Sequence, residues 1–179
     1  ESDVCTSDLG LSSTVTTTYA AIHHWALTTS NVGNPMAGDQ IEVTAQAKDA
    51  NGNNVDTASP VTVTWSEMKS DESASQITGA FFDFADGTTS ALTSDTNTTG
   101  LAKIKFTTST TRDVATKVKA SGSSKTGLSS TVTTTYGAIH HWAVTTSNVG
   151  NPVAGDQIEV TAQAKDANGN NVEIGRAHV

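Results

Sequence analysis

Two His-His-Trp runs, His23-His24-Trp25 and His140-His141-Trp142, carry the side chains most able to do chemistry. Imidazole nitrogens bind transition metals. Consecutive strand residues point to opposite faces, so a strand reading sets the two rings of each pair apart. The favoured expectation is a strand near a module junction, with Trp25 covering the interface or the core edge. Asp49-Ala50-Asn51-Gly52-Asn53 alternates oxygen-bearing side chains, as calcium loops do. A full EF-hand loop takes twelve residues and ends in a bidentate glutamate, and none is so placed. A turn is the favoured reading, with Gly52 free to take positive φ. The calcium chemistry these residues allow is an ion at a repeat junction, with Asp39, Asp49 and Asn51 as its ligand candidates.

Trp65, Phe81, Phe82 and Phe84 could line a sugar platform, with Trp65 and Phe82 as the ligand candidates. Core packing is the favoured reading for them. Lys103, Lys105, Lys117 and Lys119 form one basic strip for an acidic partner or glycan if their two strands are neighbours. Otherwise they are solvated lysines that discourage edge aggregation. Asn97-Thr98-Thr99 fits the N-glycosylation pattern, which matters only in a eukaryotic secretory pathway. No nucleophile elbow, phosphate loop, CxxC pair or HExxH motif occurs, and the spacing of Glu67, Asp83 and Asp86 singles out no catalytic pair. The expectation is a protein that is not an enzyme and has no cofactor beyond junction calcium.

The elements that position these residues come twice. Residues 10–55 and 127–172 match at 43 of 46 positions, at an offset of 117 from Gly10 to Gly127. The exceptions are Ala20/Gly137, Leu27/Val144 and Met36/Val153. That period suits a whole β-sandwich domain in tandem rather than a solenoid unit. The boundaries follow from the strands. Residues 1–19 read as the last-strand fragment of a preceding repeat, with Ser13–Tyr19 as that strand. Residues 20–136 read as one complete repeat, and 137–172 as the truncated start of the next. Repeat one continues DTASP where repeat two continues EIGRAHV. Residues 173–179 resemble a translated sequencing-library adapter and are set aside as an artefact. Cys5, the single cysteine, falls in the first fragment.

Composition agrees with an all-β chain. Thr (31) and Ser (19) fill 50 of 179 positions, and Thr adds to a β-branched load that favours strands. Net charge −8 argues against nucleic acid and anionic membranes, which need a basic footprint. No apolar run is long enough to span a membrane. Period-two alternation marks the inward sets. They are Ile41, Val43, Ala45 and Ala47; Val61, Val63 and Trp65; Ala102, Ile104 and Phe106; Val114, Thr116 and Val118; and Val132, Thr134 and Tyr136. Seven or eight strands with frequent turns predict an immunoglobulin-like antiparallel β-sandwich.

Two stretches carry a resemblance: Gly38-Asp-Gln-Ile-Glu-Val-Thr-Ala-Gln-Ala-Lys-Asp-Ala-Asn-Gly-Asn53 and Thr96-Asn-Thr-Thr-Gly-Leu-Ala-Lys-Ile-Lys-Phe-Thr107. On these the chain resembles the bacterial immunoglobulin-like repeat of invasin/intimin-type adhesins. The match is weakest over residues 66–94. The resemblance implies a cell-surface or secreted stalk, anchored in an outer membrane or cell wall, that holds a functional tip away from the envelope. Its partners would be neighbouring repeats of the same chain, with host or surface glycan or protein reached through other domains. The alternative is a glycan- or surface-binding accessory module attached to a secreted hydrolase.

A seven-strand sandwich supports the stalk reading on its own. Its chain enters at one end and leaves at the other. Tandem copies with almost no linker must then stack end to end. The Asp49–Asn54 turn falls at the leading end, beside the preceding module, and Asp39 at the trailing end.

Overall fold

The computed structural model describes residues 21–30, 33–147 and 150–174. The expected strand Ser13–Tyr19, the boundary residue Ala20 and Cys5 lie outside the described residues.

Two antiparallel sheets face each other. The first holds β1 (His24–Thr29), β2 (Gln40–Lys48), β6 (Leu101–Thr107) and β4 (Ala80–Phe82), in the order β1-β2-β6-β4. The second runs β5 (Thr93–Asp95), β3 (Thr62–Lys69), β7 (Ala115–Gly122), β8 (Lys125–Leu128). A short β9 (Val132–Thr133) pairs with the other end of β7, so β8 and β9 act as one interrupted edge strand. Ser129 fills the interruption: its amide donates to the Val118 carbonyl, and its Oγ accepts from the Val118 amide at 2.9 Å. The all-β sandwich is therefore as the alternation implied. Ile41, Val43, Ala45, Ala47, Val63, Trp65, Ala102, Ile104, Phe106 and Val118 are all buried in one core.

Trp25 ties the sheets together. It stands on β1 of the first sheet, and its indole N–H donates to the Gly122 carbonyl of the second at 3.1 Å. Gly127 on β8 passes so close that an added Cβ would lie 1.9 Å from the Trp25 carbonyl oxygen. Only a glycine lets those two backbones meet there.

Residues 66–94, where the sequence is least informative, cross between the sheets. After β3 the chain joins the first sheet as β4, then returns to the second as β5. Glu67 holds the crossing. Alternation puts it on the inward face beside Val63 and Trp65, and it is 4% exposed. Its carboxylate accepts from Thr78 Oγ1 at 2.6 Å, the Thr78 amide at 2.8 Å, the Gly79 amide at 3.0 Å and Gln76 Nε2 at 3.1 Å. Glu67 is thus a structural clamp. Glu67→Ala leaves these donors unpaired, and its expected cost is about 2–4 kcal/mol. Chemical denaturation of the chain checks this; a loss below about 0.5 kcal/mol would show that solvent satisfies the donors instead.

Residues 137–174 begin the sandwich again without completing it. β10 (His141–Thr146) and β11 (Val160–Lys165) pair in the register of β1 and β2, His141↔Lys165 matching His24↔Lys48. Among the described residues no sheet opposes them, and their inner face is open. Trp142 is 51% exposed against 2% for Trp25, and Val160 59% against 0% for Val43. The far end of the hairpin is different: Ala164 and Asp166 are as buried as Ala47 and Asp49. Beyond Asp166, the side chains of Asn168 and Asn170 reach the first repeat.

Candidate functional site

The junction between the repeats is built from two loops and a turn. Residues 35–39 and 108–113 form the trailing end of the first sandwich, beside the last strand. The Ala37 amide donates to the Thr135 carbonyl, and the Gly38 amide to the Ser109 carbonyl, both at 2.8 Å. Gly38 takes φ +87°, which a side chain would resist. The second repeat contributes Asp166-Ala167-Asn168-Gly169-Asn170, the copy of the Asp49–Asn53 turn.

Each aspartate organises its own turn. Asp49 accepts from the Asn53 amide at 2.8 Å, the Asn51 amide at 2.9 Å and Asn53 Nδ2 at 3.1 Å. These bonds, the Asn53 side chain foremost, lower its pKa. Asp166 repeats the pattern with the Asn170 amide (2.8 Å), the Asn168 amide (2.9 Å) and Asn170 Nδ2 (3.0 Å). It adds one bond to the start of its own repeat, from the Gly137 amide at 3.1 Å. Burial pushes the Asp166 carboxyl up. The bonds from Asn170, Gly137 and Asn168 outweigh it and bring the pKa down to about 2.

The turn's asparagines then dock on the first repeat. Asn168 Nδ2 donates to the Ala37 carbonyl at 2.6 Å, and Asn170 Nδ2 to the Thr110 carbonyl at 2.9 Å. In return the Arg112 amide donates to Asn170 Oδ1 at 3.0 Å. The Arg112 guanidinium donates to Asp113 (2.7 Å), the Asn171 carbonyl (2.8 Å) and Glu173 (3.0 Å), and lies 5.5 Å from the centre of the Tyr136 ring. The carboxylates of Asp113 and Glu173 hold it still more firmly protonated. Glu173 occupies the position of Asp56 in the first copy. The Ala20/Gly137 difference is also compatible with the seam. A Cβ at Gly137 would meet its neighbours at 3.7 Å, an ordinary contact.

Asp39 and the copies of Asp49 and Asn51, Asp166 and Asn168, line one junction cleft of about 300 Å³. Asp39 Oδ2 accepts from the Met36 amide at 3.0 Å. Among the described residues no three His, Cys, Asp or Glu side chains gather as a ligand set. Trp65 is core and donates its indole N–H to Ser94 Oγ at 2.9 Å. Phe82 lies on the outer side of the first sheet, opposite Lys105. The four rings make no single platform, because Phe81 turns inward onto Phe106 and Phe84 sits outside between the Lys103 and Lys105 ammoniums. The lysine strip fails as well. β6 and β7 belong to opposite sheets, so Lys103 and Lys105 cannot join Lys117 and Lys119. Lys103 pairs with Glu42 at 2.9 Å, and Lys117 pairs with Glu72. Arg112, the strongest side chain at the seam, went unnoticed in the sequence. Only its position at the trailing end could have raised it.

The fold and the seam define a β-sandwich repeat whose next copy docks on its trailing end. No family model and no curated protein matches the sequence. In structure the chain is similar to FdeC, described as a broadly conserved Escherichia coli adhesin, with TM-score 0.53 and 17% identity over 87% of this chain and 45% of that one. It thus spans less than half of the adhesin structure. Domains 4–9 of the surface layer protein SbsC align at TM-score 0.37 and 14% identity, over 83% of this chain and 21% of theirs.

Proposed function

We propose that these repeats are the spacer of a bacterial surface or secreted adhesin-like protein, holding a distal domain away from the envelope. The carrying observation is the directional seam. Asn168, Asn170 and Arg112 join consecutive repeats through polar bonds of fixed geometry, with only residues 134–140 between β9 and β10. The leading turn and the trailing loops lie at opposite ends of the sandwich, so copies joined this way extend rather than fold back. The shared fold with a surface adhesin supports the setting. Small-angle scattering on proteins of two, four and six complete repeats tests the proposal. The spacer reading expects the maximum dimension to rise in proportion to copy number. Growth as the square root of copy number, the mark of a flexible string, overturns it.

A second reading has its own observation. Phe82, Phe84 and Lys105 share the outer side of the first sheet, and Lys105 Nζ stands 5.2 Å from the centre of the Phe84 ring. An acidic glycan could be held there. Saturable glycan binding lost in Phe84→Ala would favour it.

A further inference from the structure

The two imidazoles of each His-His pair meet rather than pointing to opposite faces. His23 stands just before β1, where pairing no longer fixes its direction, and its amide donates to the Lys48 carbonyl at 2.7 Å. His24 is the first residue of the strand. The two rings meet edge to face at 87°, with Nδ1 of one 3.4 Å from Nδ1 of the other. The second copy repeats this: His140 donates from its amide to Lys165, and its Nδ1 lies 3.2 Å from Nδ1 of His141, again with rings at 87°. The arrangement is the same where the sandwich is complete and where it is open, so it is a property of the His-His-Trp strand start itself.

We propose that each His-His pair is a chelating site for a divalent transition-metal ion, one per repeat. With metal–nitrogen bonds of about 2.0–2.1 Å, these separations subtend roughly 100–115° at the ion, close to the tetrahedral angle zinc prefers. Imidazole suits Zn²⁺, Cu²⁺ and Ni²⁺. Both pairs are solvent-accessible, so water completes the coordination. The cations across the strand pair do not block it. Lys48 Nζ turns to Asn54 Oδ1 at 2.6 Å, and Lys165 Nζ to Asn171 Oδ1 at 2.5 Å. Because His140 also lines the junction cleft, an ion on the second pair sits at the seam. An array of repeats would carry one such ion every 117 residues, the repeat offset.

Calorimetric titration of the whole chain with zinc chloride, paired with visible absorption of the cobalt form, tests the site. Two ions per chain are expected, with the intense cobalt bands of near-tetrahedral coordination. His24→Ala should leave one ion, and His24→Ala with His141→Ala none, while His178→Ala changes nothing. Unchanged melting temperatures show that the variants fold. Zinc uptake that is absent in the parent, or equal in the parent and the double variant, overturns the proposal and leaves each pair joined by an N–H···N hydrogen bond alone.

Discussion

Trp25→Ala should cost the complete sandwich about 3–5 kcal/mol, while Trp142→Ala in the same chain leaves that sandwich's melting temperature unchanged. The two tryptophans share their strand register and, apart from Leu27/Val144, their local sequence, so the main difference is what covers them. Trp25 is 2% exposed and spans the two sheets. Its removal opens a cavity between β1 and β7 and leaves the Gly122 carbonyl without its donor. The surroundings cannot close in, because Gly127 already brings the backbones into contact. Trp142 is 51% exposed with no opposing sheet. For a domain of this size the loss corresponds to a fall of roughly 10–25 °C. Calorimetry on the two variants decides. Equal shifts would mean that the exposed hairpin finds its own cover in solution. In a chain whose following repeat is complete, the two substitutions should converge.

Much of the fold was legible because alternation is a one-dimensional signal. Ile41 to Ala47 and Ala102 to Phe106 show their inward sets directly, and burial follows them residue for residue. The crossing between sheets was not legible. β4 and β5 are three residues each, too short for a period to register. What fixes them is Glu67, a carboxylate inside an apolar alternation, whose meaning depends on donors nine to twelve residues later. The seam was half legible. The D-x-N-G-N turn and its leading position follow from the repeat, but the carbonyls of Ala37 and Thr110 that receive its asparagines are backbone atoms with no side-chain signature. The lysine strip depended on β6 and β7 being neighbours, and alternation within a strand does not say which sheet the strand joins. The approach of the two histidine rings was not legible, because alternation holds only within the strand and His23 stands one residue before it.

Asp166→Ala should separate the repeats without unfolding the first, whereas Asp49→Ala breaks the same turn and leaves the junction intact. Asp166 is 1% exposed and gathers the amides of Asn168, Asn170 and Gly137 with the Asn170 side chain. Each unpaired buried donor costs roughly 1–3 kcal/mol, and partial access of solvent brings the total to about 3 kcal/mol. Asn170 then loses the orientation that meets Thr110 and Arg112. Hydrogen exchange reads this directly: protection of the Gly137 and Arg112 amides should fall about 100-fold in Asp166→Ala, and stay at the parental level in Asp49→Ala. Acid should do the same to the unaltered protein. The Asp166 carboxyl titrates at about 2 in the ordered turn against 3.8 ordinarily, so the turn that aims Asn170 at the first repeat binds the proton less well than the disordered segment. Its contribution is therefore complete above the ordinary value and is lost as pH falls through about 2. Protection at Gly137 that persists below that point, or that falls equally in both variants, would place the holding force elsewhere: in Arg112, whose charge does not titrate in this range.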